Sequence, residues 1–227
     1  YCNTVFPAID IETSTNGVDA DDPSDPATPV LAIGAAARWV YAVRNDGNIS
    51  FTVADVVVTD SYPGVTPVFD PASDDGDGIL SPTETWRYRA TGTALDLDDA
   101  DATGAGTIVL GCGTRGLRNT YENVGTVVVP GADDTDPTHY CNPANPAIDI
   151  ETSTNGVDGD APDDPAVPIL PIATPANWVY IVRNDGNVTF SLDDVEVTDS
   201  HPGVTPVFDP NSDDGDGLLS PGEHWRF

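Results

Sequence analysis

The stretch "ARWVYAVRNDGN", residues 37–48, decides the fold class. Trp39, Tyr41 and Val43 alternate with smaller or polar residues, which is the period-two pattern of a strand that buries one face. The Asp-Gly pair that follows is a turn signal typical of β-hairpins. The stretch therefore predicts a strand that ends in a tight turn.

Further short segments of the same kind follow it. They are rich in β-branched and aromatic residues, and they read ISFTV (49–53), DVVVTD (55–60), VTPVF (65–69), ETWRYRATG (84–92) and YENVGTVVV (121–129). Gly, Pro, Asn or Asp residues separate them, and no window has a helical period. Strands at this spacing predict an all-β fold, an antiparallel β-sandwich of immunoglobulin-like type, with a closed barrel as the alternative.

The chain also contains an internal repeat with a period of 139 residues. "PAIDIETSTNGVD" at 7–19 returns unchanged at 146–158, and Tyr1–Cys2 matches Tyr140–Cys141. The register holds to Phe227, so the second copy has no counterpart of residues 89–139. Since tandem repeats share one fold, we expect a first sandwich over 1–130, a linker over 131–145 and a second, incomplete sandwich over 146–227.

The charge of the chain is strongly negative. It carries 38 Asp and Glu against 8 Lys and Arg, for a formal net charge of −30. Such a field repels nucleic acid and anionic lipid and attracts cations, and no apolar run is long enough to span a membrane. Disorder of the whole chain conflicts with the strand patterns and the four Trp. Halophilic adaptation explains acidic residues that are scattered along the chain, but it does not explain acidic residues at fixed spacing in loops.

A twelve-residue acidic loop occurs once in each repeat. "SDDGDGILSPTE" at 73–84 and "SDDGDGLLSPGE" at 212–223 place oxygen-bearing side chains at alternate positions, Gly at the sixth and Glu at the twelfth. This is the pattern of a calcium-binding loop, in which the seventh residue contributes its backbone carbonyl. The predicted Ca²⁺ ligands are Ser73, Asp75, Asp77, Ile79, Ser81 and Glu84, and in the second copy Ser212, Asp214, Asp216, Leu218, Ser220 and Glu223.

The first position of each loop departs from this pattern, because Ser replaces Asp. Asp74 or Asp70 is available to supply the missing carboxylate. Prolines precede the loop and a strand follows it, so no flanking helix pair can open, and we expect a structural clamp rather than a sensor. An acidic turn without an ion is the alternative, although clustered carboxylates repel one another without a cation.

A second acidic stretch recurs at 14–26 and 153–165. Asp19 and Asp21, and in the second copy Asp158 and Asp160, are candidates for another ion site, with help from Asn16 or Asn155. A solvated loop explains the same residues equally well. Asp60 and Asp199 each close a strand, where a capping role and a ligand role are both open.

Three cysteines and two sequons complete the candidate sites. Two cysteines per repeat in an exported chain predict one disulfide per repeat. Cys2–Cys112 is the expected pair, and Cys112–Cys141 is the competitor. Asn48 and Asn187 lie in equivalent Asn-X-Ser/Thr sequons and are possible glycosylation sites.

Catalysis is not expected. His139, His201 and His224 fall in linker or loop sequence, and no nucleophile signature surrounds them. The latter two replace Tyr62 and Thr85 of the first repeat, so the repeats do not share them.

Several motifs together resemble a known family. "AIDIETSTNGVDADDP", "WVYAVRNDGNISFTVADVVVTDS", "SDDGDGILSPTETWRY" and "YENVGTVVV" are similar to the DUF11-like conserved repeat found in tandem in large bacterial and archaeal surface proteins. The resemblance implies an immunoglobulin-like sandwich used as a spacer, stalk or adhesive array outside the cell. The acids of the family's loop match Asp75 and Asp77, whereas its first and ninth positions fall on Ser73 and Ser81.

The sequence thus favours a structural repeat unit of an extracellular or cell-surface array or filament, stiffened by calcium. The expected partners are further copies of the repeat, in the same chain or in neighbouring chains. The alternative is an adhesin module that binds carbohydrate or a host protein through calcium-organised loops.

Overall fold

The computed structural model describes residues 4–98, 107–112 and 118–227. The chain divides into two compact units, Tyr1–Pro143 and Ala144–Phe227. In the described ranges both units consist of antiparallel strands, turns and short 3₁₀ segments, without an α-helix. The all-β prediction is therefore confirmed, and each unit is described by itself below.

The first unit is built from two larger sheets and a short two-stranded sheet. Its strands are β1 (Ile9–Thr15), β2 (Ala36–Asn45), β3 (Phe51–Thr52), β4 (Val57–Asp60), β5 (Val68–Asp70), β6 (Ile79–Leu80), β7 (Thr85–Thr93), β8 (Thr107–Cys112), β9 (Arg118–Val129) and β10 (Ala132–Cys141). One sheet has the order β1-β2-β7-β5, and β3 pairs with β6. In the other sheet β9 pairs with β10 on one side and with β8 and β4 on the other.

The core lies between these two sheets. Trp39 and Trp86 from the first sheet and Tyr121 and Tyr140 from the second belong to one buried cluster. The ring of Tyr62 lies 5.3 Å from that of Trp39 and 5.7 Å from that of Tyr121, measured between ring centroids. Because both sheets turn their apolar faces toward one cluster, the unit is consistent with a β-sandwich.

The prediction of a linker over 131–145 is wrong. Most of this segment is β10, which pairs with β9 from Ala132↔Val129 to Cys141↔Thr120. Asp and Pro are depleted in strands, so the composition indicated a linker. In the structure, however, the segment from Thr138 to Asn142 is buried, and the unit boundary follows Pro143 rather than residue 130.

The second unit repeats the first half of this arrangement. Its strands are β11 (Ile148–Thr154), β12 (Trp178–Asn184), β13 (Phe190–Ser191), β14 (Leu218–Leu219) and β15 (His224–Arg226). The sheet β11-β12-β15 corresponds to β1-β2-β7, and the two-stranded sheet β13-β14 corresponds to β3-β6. The register is also the same, since Ile9 faces Asn45 and Ile148 faces Asn184. Its buried cluster consists of Val182, Leu219 and Trp225, with partly buried neighbours.

Candidate metal centres

The acidic loop of the first unit joins β5 to β7 through a 3₁₀ turn and the short strand β6. Asp70 caps the turn Pro71–Ser73 by accepting a hydrogen bond from the Ala72 N–H. Gly76 and Gly78 have φ values of 105° and 71°, a region that residues with a Cβ rarely adopt. The glycines therefore let the chain fold back on itself between two strands.

This fold brings three carboxylates together. Asp74, Asp75 and Glu84 each place a carboxylate oxygen within 4.8 Å of the other two. Oxygens that bind one Ca²⁺ at 2.3–2.6 Å lie at most about 5 Å apart, so this spacing fits a single ion. Carboxylate oxygens are also the hard ligands that Ca²⁺ prefers. The donor set therefore fits calcium by chemistry and by size.

The cluster is attached to the core through Trp86, whose side chain is fully buried. The indole Nε1–H donates to Asp74 Oδ1 and to Glu84 Oε1, with 3.2 Å to each oxygen. The other oxygen of Asp74 accepts from the N–H groups of Gly76 and Gly78. These bonds orient the carboxylates before any ion binds, which is the kind of support that a binding site needs.

The structure selects among the predicted ligands of this loop. Asp75 and Glu84 belong to the cluster, and Asp74 is the additional carboxylate. Ser73 turns away from it, because its Oγ donates to the Asp70 carbonyl and accepts from the Arg87 N–H.

The remaining predicted ligands of the loop do not belong to the carboxylate cluster, and they form hydrogen bonds within the loop. Asp77 accepts from the Ile79 N–H, and the Ser81 N–H donates to Glu84. Asp70 is bound by Arg89, whose hydrogen bond holds the pKa of that carboxyl below its usual value.

The second loop repeats the hydrogen bonds that hold Asp74 in the first. Trp225 Nε1 donates to Asp213 Oδ1 at 3.0 Å, and the N–H groups of Gly215 and Gly217 donate to Asp213 Oδ2. Here the clustered carboxylates are those of Asp213, Asp214 and Asp216.

The other predicted residues of the second loop have hydrogen-bond partners nearby. Ser212 donates to the Asp209 carbonyl, and Glu223 accepts from the Ser220 N–H. The Leu218 N–H donates to Asp216. The predicted Asp214 and Asp216 are thus brought together, and Asp213 joins them.

A second cluster in the first unit joins β1 to β10. Glu12, Asp21 and Asp136 place carboxylate oxygens within 4.8 Å of one another. Burial raises the pKa of Asp136 to about 7 against the hydrogen bond from Thr13, and repulsion from Asp21 and Glu12 adds to the rise. Partial desolvation and a hydrogen bond shared with Asp19 raise the pKa of Asp21 to about 6. The site therefore concentrates negative charge that a cation would neutralise.

The equivalent cluster of the second unit is Glu151, Asp158 and Asp160. All three residues are exposed, and repulsion among them raises the pKa of Glu151 and of Asp160. Residues 144–227 contain no counterpart of Asp136, so this cluster lacks the carboxylate that β10 contributes in the first unit.

The asparagines expected to assist these clusters have another role. Asn16 Oδ1 accepts from the Arg38 N–H at 2.8 Å, and Asn155 Oδ1 accepts from the Asn177 N–H at 2.9 Å. Both residues have φ of 51°, a left-handed conformation that Asn tolerates better than most residues. Their side chains hold turns, and their assistance to a metal site stays a prediction.

Sequence reasoning missed three of the clustered carboxylates in the first unit, and two in the second, Glu151 and Asp213. Asp74 was predicted only as a substitute for the ligand at the first position of the loop, because the pattern of alternate positions does not include it. Glu12 lies on the exposed face of β1, and Asp136 lies in the segment interpreted as a linker. The acid run "DDTD" at 133–136 was a visible signal, but nothing local in it indicated that it would lie beside β1.

Asp60 and Asp199 are capping residues. Asp60 accepts from the Tyr62 N–H, from Asn123 and from the hydroxyl of Tyr41. Asp199 accepts from the hydroxyl of Tyr180 and from the His201 N–H. Asp60 lies at the end of β4, whereas Asp199 lies outside any strand. Donors occupy both carboxylates, which supports the capping alternative over the ligand alternative.

The disulfide joins Cys112 to Cys141, with 6.3 Å between their Cα atoms. The preferred pairing Cys2–Cys112 is therefore wrong, and Cys2 itself lies outside the described residues. The error follows from the misplaced linker, because Cys141 is the last residue of β10 in the first unit. Cys112 and Cys141 belong to the strands that flank the start of β9.

The two sequon asparagines make backbone contacts. Asn48 Oδ1 accepts from the Phe6 N–H and its Nδ2 donates to the Thr4 carbonyl, both at 2.7 Å. Asn187 Oδ1 likewise accepts from the Asn145 N–H at 2.7 Å. The side chains therefore hold the segment that enters each unit, and their glycosylation stays a prediction.

His139 does not lie in a linker as expected. It is buried in β10, where Nδ1 donates to the Ala20 carbonyl at 2.6 Å and Nε2 lies 3.5 Å from Glu122 Oε2. Its contacts are thus with the fold of the first unit.

Comparisons with known proteins add no relative. No protein-family model matches the chain, and no curated protein or solved structure matches it either. In the part of the chain that the structure describes, no helix has both the length and the apolar character needed to cross a membrane.

Proposed function

We propose that the chain is part of an exported array or filament, in which immunoglobulin-like units act as spacers that bound calcium stiffens. The proposal rests mainly on one observation: both units hold three loop carboxylates within 4.8 Å, with Asp74 and Asp213 each hydrogen-bonded to a buried tryptophan. The two loops lie in separate units, so the arrangement does not depend on one local environment.

Calcium is the ion that the donor set supports best. The clustered oxygens are carboxylates, without a Cys or His among them, and such sets suit Ca²⁺ better than they suit zinc or copper. In the first unit the ion would join the loop to the strand that follows it, because Asp74 precedes β6 and Glu84 precedes β7. An ion held at both places would restrict movement of the loop relative to the sheet.

An extracellular location and a structural role have further support. The Cys112–Cys141 disulfide is of a kind that persists in oxidising compartments, and the repeat supplies the same unit more than once along the chain. The resemblance to DUF11-like surface repeats agrees with this assignment. Further repeats, in the same chain or in neighbouring ones, are the partners that the proposal requires.

Calorimetry with and without calcium tests the proposal. Calcium at a hundred times its Kd should stabilise each site by about 2.7 kcal/mol, so a chelator should lower the melting temperature by roughly 8 °C. The double variant Asp74→Asn/Asp75→Asn should lose the part of the first unit's response that comes from its acidic loop, and Asp213→Asn/Asp214→Asn that of the second unit's loop. Asp133→Asn, an exposed acid outside both clusters, is the matched control. Equal melting curves in calcium and in chelator would refute the calcium proposal.

A further inference from the structure

A row of three side chains crosses the sheet of β1, β2 and β7, and the second unit repeats it. Glu12 of β1 lies opposite Ala42 of β2, and Ala42 lies opposite Arg87 of β7. The equivalent row of the second unit consists of Glu151, Ile181 and Arg226. Each row therefore has an acid at one end, an apolar side chain in the middle and an arginine at the other end.

The row lies on the outer face of the sheet, away from the core. Glu12 and Arg87 are exposed and Ala42 is half-buried. Their neighbours along the three strands are buried, because successive side chains of a strand point to opposite faces. The row is therefore available to a partner.

The charges at the two ends of a row do not neutralise each other within one chain. Neighbouring strands lie about 4.8 Å apart, so the backbones of Glu12 and Arg87 are separated by about 10 Å. Neither Arg87 nor Arg226 has a salt-bridge partner among the described residues. At the other end, burial and repulsion from Asp19 and Asp10 raise the pKa of Glu12. Each end of the row thus calls for an opposite charge from outside the chain.

The outer face is also where the positive charge of the first unit is concentrated. The whole chain has only 8 basic residues, against a net charge of −30. Four of them project from the outer faces of β2 and β7, namely Arg38, Arg44, Arg87 and Arg89. Two copies that repel each other elsewhere can therefore attract each other here. Because acids of β1 border these arginines, the face suits a protein surface with both signs better than a uniformly anionic polymer.

The row is complementary to itself. If a second copy is turned about a two-fold axis that runs along β2, its Glu12 lies over Arg87 of the first copy and its Arg87 over Glu12. The apolar middle residues then meet at the axis. The next row, Ser14, Val40 and Arg89, behaves in the same way, since the axis places the Ser14 hydroxyl opposite the arginine. Such an isologous contact forms every interaction twice.

We propose that this outer face, centred on the rows of Glu12 and of Glu151, is the surface through which two copies of the chain associate side by side. The occupant of the face is the same face of the second copy. This names how neighbouring chains of the proposed array make contact, and it rests on that function. The contact of one row is small and binds weakly, whereas a chain with several repeats adds such contacts by avidity.

Sedimentation equilibrium of the whole 227-residue chain tests the proposal. The buffer contains a chelator, so that no Ca²⁺ occupies the carboxylate cluster to which Glu12 belongs, and about 0.15 M salt to screen distant charges. The chain is studied up to about 1 mM, the weak end of specific binding. We expect dimers, and Arg87→Gln/Arg226→Gln should weaken dimerisation at least tenfold. A wild-type chain that stays monomeric would overturn the proposal.

Arg44→Gln/Arg183→Gln is the matched control. It removes the same number of charges from the same faces, and these side chains are exposed as well. Each of them already forms a salt bridge, Arg44 with Asp46 at 3.0 Å and Arg183 with Asp185 at 2.8 Å, and neither faces an acid of the second copy. Dimerisation should change less than threefold. Equal losses in the two double variants would overturn the proposal, because net charge alone would then explain both.

A charge exchange tests the pairing itself. Arg87→Glu/Arg226→Glu leaves each row with two acids, and Glu12→Arg/Glu151→Arg leaves each row with two arginines, so neither variant should dimerise alone. A mixture of the two should form heterodimers at least tenfold more tightly than either variant associates with itself. The two variants change the net charge equally in opposite directions, so general repulsion in the mixture stays close to that of the wild type. A mixture that remains monomeric would overturn the proposal.

One further result would assign the contact to another surface. Dimerisation that requires calcium, and that Arg87→Gln/Arg226→Gln leaves unchanged, would mean that the acidic loops join the copies, and it would overturn the proposal. The calcium proposal is separable from this one. Equal melting curves in calcium and in chelator would refute the former and leave dimerisation in chelator unaffected.

Discussion

The buried indole of Trp86 donates a hydrogen bond to the carboxylate of Asp74, with 3.2 Å between Nε1 and Oδ1. A core side chain thus sets the direction of a carboxylate in the acidic loop. The same contact recurs between Trp225 and Asp213. Loop geometry and core packing are therefore linked in both units.

This contact predicts the effect of Trp86→Phe. The substitution keeps an aromatic ring in the core but removes the donor, and hydrogen bonds to charged groups contribute about 1.5–3 kcal/mol. We expect weaker calcium binding, measured by titration calorimetry, together with lower stability.

Trp39→Phe is the matched control for this variant. The indole nitrogen of Trp39 has no hydrogen-bond partner among the described residues, so this change removes the same ring atoms without a donor–carboxylate bond. Similar losses of calcium affinity in the two variants would mean that the Trp86 contact does not orient the loop.

The cluster that joins β1 to β10 predicts that, in the calcium-free chain, the stability of the first unit falls as the pH rises. The pKa of Asp136 is raised to about 7 and that of Asp21 to about 6, from 3.8 in both cases. The folded state therefore binds more protons than the unfolded state between about pH 4 and pH 7. In chelator, the melting temperature of the first unit should fall as the pH rises through this window.

The comparison is made at pH 4.5 and 7.5 with Asp136→Asn, which should show a smaller fall, and with Asp133→Asn as the control for net charge. Added calcium should restore stability at the higher pH, where the carboxylates are ionised and can bind it. If the Asp136→Asn and Asp133→Asn variants behave alike, general repulsion rather than this cluster sets the pH dependence.

The disulfide predicts a large effect of reduction. Cys112 and Cys141 are separated by 29 residues in sequence, and closing a loop of this length stabilises a fold by about 3.5 kcal/mol in the chain-entropy account. Cys112→Ser/Cys141→Ser should lower the free energy of unfolding of the first unit by that amount, measured by denaturant titration. Peptide mapping of the oxidised chain should recover a Cys112–Cys141 peptide, and a Cys2–Cys112 peptide would contradict the structure.

The unit boundary predicts which fragment folds alone. A fragment of residues 4–143 contains β10 and both bonded cysteines, whereas a fragment that ends at 130 loses β10 and leaves β9 with an unpaired edge. We expect dispersed amide signals and cooperative unfolding only from the longer fragment. Cooperative unfolding of the shorter one would show that β10 is dispensable.

The strands with regular alternation were the predictable part of the fold. The pattern at 37–44 predicted β2, and "ETWRYRATG" predicted β7, because each buries every second side chain. β10 was not predictable from its own composition. Its acidic half is stabilised by contacts with β1 that lie 123 residues away in sequence, and such contacts leave no local period.

The candidate site was predictable to a similar degree. Spacing identified both acidic loops and the role of Gly78, whose positive φ the turn requires. Spacing alone did not identify Asp74 as the inward carboxylate, because that depends on where the Trp86 ring lies. The same misassigned segment, 131–145, accounts for the missed Asp136 and for the wrong disulfide.

The contacts from β10 to β1 also determine how a unit would carry tension. Ile11, Thr13 and Thr15 meet Asp134, Asp136 and Thr138 in ascending order, so the two strands run in the same direction. The chain therefore enters β1 at one end of the unit and leaves β10 at the other. A pull on the two ends therefore shears the two strands along their length. This geometry loads all of their hydrogen bonds at the same time, so the bonds resist together instead of breaking one after another.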